Sequence, residues 1–251
     1  MGVKVAGWAI ALLAAPFAGS FLYVLIRRLP RDDPQLWGRS RCETCHAPLG
    51  PLELLPIVSF LALRGRCRHC DARIAHAHLA VELAALGVAA LVVASGARDA
   101  ELWEGCALGW TLLALGWIDW EHFYLPDVLT LPLIVAGLGF AWLDAPDDLT
   151  DRSVGAIVGY LVFRLLALGY RLVRGREGLG QGDAKLLAAA GAWLGWTLLG
   201  DVVLLAALLG LGLALLARLR GVALHGATAL PFGPALAAAI FIRWLAAAWQ
   251  G

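Results

Sequence analysis

VAGWAIALLAAPFAGSFLYVLI, residues 5–26, carries no charge and ends against Arg27-Arg28. An α-helix rises about 1.5 Å per residue, so a stretch of this length covers the roughly 30 Å hydrocarbon core of a bilayer. The segment begins like a secretory signal, with Lys4, an apolar run and Ala/Gly/Ser residues near position 18. The apolar core of a signal is shorter, about 7–15 residues, whereas this one continues to Ile26 and then meets a basic stop-transfer pair. We read it as a first transmembrane helix.

The rest of the chain repeats the pattern. Apolar runs recur at about 75–95, 101–118, 128–143, 153–170, 184–200, 201–217 and 231–249, the sixth and seventh nearly fused at Gly200–Asp201. Composition agrees: 61% hydrophobic, 16% charged and mean hydropathy +0.76, where a soluble domain carries about 25% charged residues. The expected fold is all-α, a polytopic membrane helix bundle of about eight transmembrane helices with a small cytoplasmic zinc-ribbon-like loop domain. The lipid bilayer is its solvent, and no nucleic-acid partner is expected. With the N-terminus outside, the internal loops and their edges hold fifteen of the twenty Lys/Arg, nine of them at 27–73. Such asymmetry orients a membrane protein. Small residues crowd LLAAAGAWLG (186–195) and GLGLALLA (210–217), which suits close helix packing in lipid. No internal repeat is apparent. The chain divides into a first transmembrane helix (1–26), a polar loop (27–73) and a transmembrane bundle (74–251).

The polar loop holds Cys42-x-x-Cys45 and Cys67-x-x-Cys70, with twenty-one residues between the pairs. Two such turns supply four thiolates, the ligand set of a closed structural Zn2+ site. Metal binding would provide folding energy that so short a loop lacks. The competing readings are a disulfide or redox pair, disfavoured in a reducing cytosol, and no ligand at all. Cys106, inside the third span, reads as a small buried apolar residue.

Acids are scarce in this chain, and charge near hydrocarbon is usually kept for a task. Asp119 and Asp127 flank the turn in GWIDWEHFYLPD (116–127), and Asp183 follows Gly178, Gly180 and Gly182 in GLGQGDAKLL (178–187). Asp127 and Asp183 are both placed to cap a following helix; Asp119 follows a helix and has no such duty. The predicted topology puts all three on one side. Two adjacent carboxylates do not both ionise easily, so one keeps its proton. The ionised partner then takes a proton from water while the neutral one polarises a peptide carbonyl. Glycines beside Asp183 would let an extended substrate approach.

These elements in this order resemble the type IV prepilin peptidase family: GSFLYVLIRRLP (19–30), both cysteine pairs enclosing LELLPIVSFLALRGRC (52–67), AVELAALG (80–87), IDWEHFYLPDVLTLPL (118–133), GLGQGDAKLLAAAGAWLGW (178–196) and PFGPALA (231–237). The resemblance implies catalysis by Asp119 and Asp183, with Asp127, Gly180, Gly182 and Lys185 supporting. It implies cleavage of prepilins or pseudopilins after the glycine that ends a basic leader. It also implies methylation of the new N-terminal residue with S-adenosylmethionine, an activity tied to the 27–73 loop and, within it, to Gly65 and Glu53. The implied location is the bacterial inner membrane, with the active site facing the cytoplasm and the N-terminus outside. Tyr23 stands where the family often has Asn, and Glu121 where it often has Asp. The chain has no glycine-rich nucleotide fingerprint. Glu177 is a candidate for meeting the basic leader. The alternative functions are a non-enzymatic membrane scaffold with a zinc-stabilised docking loop, and a small transporter using Arg164 and Arg243.

Overall fold

The computed structural model describes residues 7–31, 38–175, 180–221 and 230–249. Glu177 and Gly178 therefore lie outside the described residues. Among those described there is no strand, and the helices are α1 (Gly7–Arg28), α2 (Val58–Ala62), α3 (His76–Ala94), α4 (Asp99–His122), α5 (Asp127–Asp144), α6 (Leu149–Arg174), α7 (Gln181–Leu194), α8 (Leu199–Leu219) and α9 (Gly233–Ala248). Apart from the five-residue α2, each long helix falls on an expected span. Five regions, built on α1, α3, α5, α6 and α8, are long and apolar enough to cross a membrane. This is a multi-pass membrane protein.

One boundary differs from expectation. The sixth and seventh spans are not joined at Gly200–Asp201; α7 ends at Leu194, and α8 starts at Leu199. Gly195 makes the break with φ 79, a left-handed conformation that L side chains rarely adopt. An added Cβ there would lie 1.8 Å from Asp151 Oδ2.

The chain forms two compact units, Met1–Trp110 and Thr111–Gly251. In the first, α1 packs on α3 through small residues one turn apart. Ala11, Ala15 and Gly19 on α1 and Ala85 and Ala89 on α3 are all buried. A Cβ on Gly19 would stand 2.6 Å from Glu82 Cα, so the two backbones touch. Lipid tails are as apolar as leucine, so this close backbone contact, rather than hydrophobicity, holds such helices together.

In the second unit α7 is the core. Leu186 through Trp193 are buried on all sides, and α5, α6 and α9 pack around the helix. Gly155 and Gly159, four residues apart on α6, face Gly191 and Leu187 of α7. Added Cβ atoms would come within 2.7 Å of Gly191 O and 2.5 Å of Leu187 O, respectively. Gly137 of α5 makes room for Trp193, whose indole N–H donates to Leu133 O at 2.8 Å. By contrast α8 turns Leu204, Leu208, Leu211 and Leu215 outward, the dress of a lipid-facing helix.

Candidate active site and thiolate cluster

Asp119 sits in the last turn of α4 and Asp183 in the first turn of α7. Both are buried, at 7% and 9% exposure. Each carboxylate is held through Oδ2 by a backbone amide: Gly233 N–H donates to Asp119 at 2.9 Å, and Gly180 N–H donates to Asp183 at 3.2 Å. Asp183 thus caps its helix as expected while remaining out of water. Asp119 lies at the end of its own helix, but through Gly233 it holds the first amide of α9.

Neither acid lies in the five membrane-crossing helices, and both are harder to ionise than an ordinary aspartate. Burial raises Asp119, against the pull of the Gly233 amide. Asp183 is pushed up to about 6, first by burial and then by the charge of Asp119, with the Gly180 amide opposing. The charge of Asp119 thus reaches Asp183, which places the two carboxyls near one another.

Asp127 does not cap α5 as expected. Its carboxylate accepts a hydrogen bond from Lys185 Nζ, two residues beyond Asp183 on α7. The glycines beside Asp183, expected to let substrate approach, also have close neighbours within the fold. A Cβ on Gly182 would sit 2.7 Å from Leu125 Cβ, and one on Gly180 would sit 3.1 Å from Asp183 Oδ2. They let the turn before α5 and the carboxylate itself come close.

In the first unit the four thiols of Cys42, Cys45, Cys67 and Cys70 converge, all Sγ atoms lying within 4.8 Å of one another. All four are free thiols. Zn–S bonds of about 2.3 Å in a tetrahedron set sulfurs about 3.8 Å apart, and Cys42 Sγ lies 3.8 Å from Cys70 Sγ. The donor set fits a metal ion. Amides of Cys45 and Thr44 bring Cys42 down to about 6. Cys70, helped by the Ala72 amide but desolvated and bonded to Cys45, Cys67 and Cys42, is pushed up to about 12. Thiols this close need a cation among them before all can be thiolates. Glu53 accepts the Gly50 amide at 2.7 Å and stands 3.6 Å from His69 Nε2, beside the second turn. Gly65, at φ 67, turns the chain into that same turn, and Phe60 Cζ would be 2.9 Å from its added Cβ.

Comparison with known proteins fits this arrangement. Residues 13–95 match the Bacterial Peptidase A24 N-terminal domain, and residues 106–215 match the Type IV leader peptidase family. The prepilin leader peptidase/N-methyltransferase of Aeromonas hydrophila is 40% identical over 273 residues, spanning 96% of this chain and 90% of that protein. Its counterpart in Burkholderia pseudomallei (strain 1026b) is 40% identical over 259 residues, covering 92% and 82%. That of Pseudomonas aeruginosa is 36% identical over 263 residues, covering 95% and 89%. The chain belongs to the type IV leader peptidase family. No solved structure matches it.

Within this leader peptidase, some working residues escaped the sequence reading. PFGPALA was noted only as a motif, yet its Gly233 holds Asp119, and an added Cβ would lie 2.6 Å from Oδ2. The cysteine turns are a local repeat: RCETCHAP and RCRHCDAR close with matching bridges, Arg41 to Pro48 and Arg66 to Arg73. His46 and Asp71 take equivalent left-handed positions in them, at φ 57 and φ 59. The offset of twenty-five residues, with Arg-Cys-x-x-Cys and then Ala in both copies, was the available signal.

Proposed function

We propose that Asp119 and Asp183 are the catalytic pair of a membrane aspartyl endopeptidase. It removes the basic leader of type IV prepilins and pseudopilins after a glycine. The same chain then N-methylates the newly exposed residue with S-adenosylmethionine, consumed as a co-substrate. The observation that carries the peptidase reading is a pair of buried carboxyls, both raised by burial and Asp183 also by the charge of Asp119, each fixed by one amide through Oδ2. With one proton between them, the ionised carboxylate takes a proton from water as it attacks the scissile carbonyl. The neutral carboxyl hydrogen-bonds the developing oxyanion. The tetrahedral intermediate then collapses, and the departing amine takes a proton from the site. Asp127 and Lys185 join the start of α5 to α7 and so support the Asp183 turn.

The four thiolates hold a structural Zn2+ that orders the loop. The Lys/Arg asymmetry supports a cytoplasmic site in the inner membrane. The chain carries no nucleotide fingerprint, and the methyl donor is assigned no residues. A scaffold draws support from the helix-start amides that both aspartates hold; it gives no reason to bury the two acids near enough for the charge of Asp119 to act on Asp183.

The test is cleavage of a prepilin by the protein in membranes, followed across pH. Cleavage after the leader glycine is expected. The alkaline limb should begin near the pH where the upper proton leaves, set by Asp183 at about 6 rather than near 4. A rate flat from pH 5 to pH 9 would contradict a shared proton.

A further inference from the structure

Among the described residues of the first unit, one charged side chain is fully buried. Glu82, on α3, is 1% exposed. Its Oε2 accepts the Ile57 N–H at 2.7 Å. Its Oε1 receives no hydrogen bond, and His78 Nδ1, one turn earlier, stands 3.2 Å away. The His78 ring meets Tyr23 of α1 edge-on, with centroids 4.7 Å apart. Tyr23 and Glu82 are the titratable groups identified against it. Ile57 is itself held at φ 62 and ψ −54, where a β-branched residue is strained. Thus α1, α3 and the polar loop converge on one carboxylate with an unused oxygen. Such an oxygen is costly to bury, and a proton on His78 Nδ1, after a small ring rotation, satisfies it. That tautomer leaves Nε2 with its lone pair, on a side chain 31% exposed.

This arrangement meets a need of the second reaction, and the inference rests on the methyltransferase reading above. Cleavage releases an α-amine that is largely ammonium near neutral pH, its ordinary pKa being about 8. An ammonium has no lone pair with which to accept a methyl group. We propose that His78, oriented by Glu82, is the base that removes this proton. His78 Nε2 takes one N–H proton. The freed nitrogen pair then forms the N–CH3 bond as the C–S bond of the sulfonium donor breaks, its electron pair returning to sulfur. The imidazolium gives its proton to solvent. Asp119 and Asp183 take no part.

The test uses the full chain in detergent, a prepilin and a peptide with the mature free N-terminus. Wild type is expected to cleave and methylate. His78→Gln should cleave normally and methylate about 100-fold more slowly or worse. Added imidazole should restore part of the methylation lost in His78→Ala, which a packing role does not predict. Without any methyl donor, the free-amine peptide should slow diethylpyrocarbonate labelling of His78 in wild type, and its N-acetylated form should not. Normal methylation by His78→Gln would overturn the proposal. So would a loss that imidazole does not rescue, or labelling that ignores the peptide. A wild type that cleaves without methylating would instead remove the methyltransferase reading, and this inference with it.

Discussion

Gly191→Leu should leave little folded protein in the membrane. A Cβ at this position would lie 2.1 Å from both the carbonyl carbon and oxygen of Gly155. Those are backbone atoms, so no rotamer change relieves the clash, and α6 must move away from α7. Overpacking alone costs about 1–3 kcal/mol. Here it also opens the Gly159–Leu187 contact one turn along the same seam. With net stabilities of about 5–15 kcal/mol, several kcal/mol is a large share. The expected result is a steep fall in membrane-extracted protein and a melting temperature lower by many degrees. Unchanged yield and melting would show that the helices are not in contact there.

Cys42→Ser should abolish metal binding and unlock the loop. Structural zinc in small sites is worth about 10–16 kcal/mol of apparent binding energy. Among the described residues the loop's other ties are small ones: two isolated bridges, a short helix, the Glu53 contacts, the Arg66–Asp71 ion pair and the Ile57 bond to Glu82. Wild-type protein should contain about one metal ion per chain; the variant should contain almost none and be cut quickly by trypsin at the loop arginines. Metal-free wild type with all four thiols open to alkylation while folded would contradict the thiolate site.

How much of this was legible beforehand follows from the range of each interaction. The spans were readable because hydrocarbon thickness fixes a length of apolar sequence. The break at Gly195 was not, because GAWLGWTLLG is apolar throughout and the kink depends on φ at one glycine and on Asp151, forty-four residues earlier. The cysteine cluster was readable because each pair is local. The cap by Asp183 was local too, and it formed. Asp127 looked like a cap from its neighbours alone, but its partner Lys185 lies fifty-eight residues away and won the carboxylate. Gly233 is the same case, 114 residues from Asp119. Resemblance singled out both aspartates; only the fold could give their burial and the raised pKa of Asp183.

That raised pKa carries a sign. Its stabilising effect is present below the ordinary carboxylate pKa and is lost as pH rises toward about 6, so at pH 7.5 the ionised pair costs stability. Asn keeps the shape and removes the charge. The deciding measurement is therefore prepilin cleavage at pH 5.5, where the pair still holds its proton, and thermal melting at pH 7.5 of the same preparations of wild type, Asp119→Asn, Asp183→Asn and Asp127→Asn. Asp119→Asn and Asp183→Asn should each lose about 1,000-fold or more in cleavage while melting no lower than wild type, and Asp127→Asn should keep measurable cleavage. Undiminished cleavage by either of the first two would remove that residue from the pair, and loss of cleavage accompanied by unfolding in both would return the aspartates to a structural role.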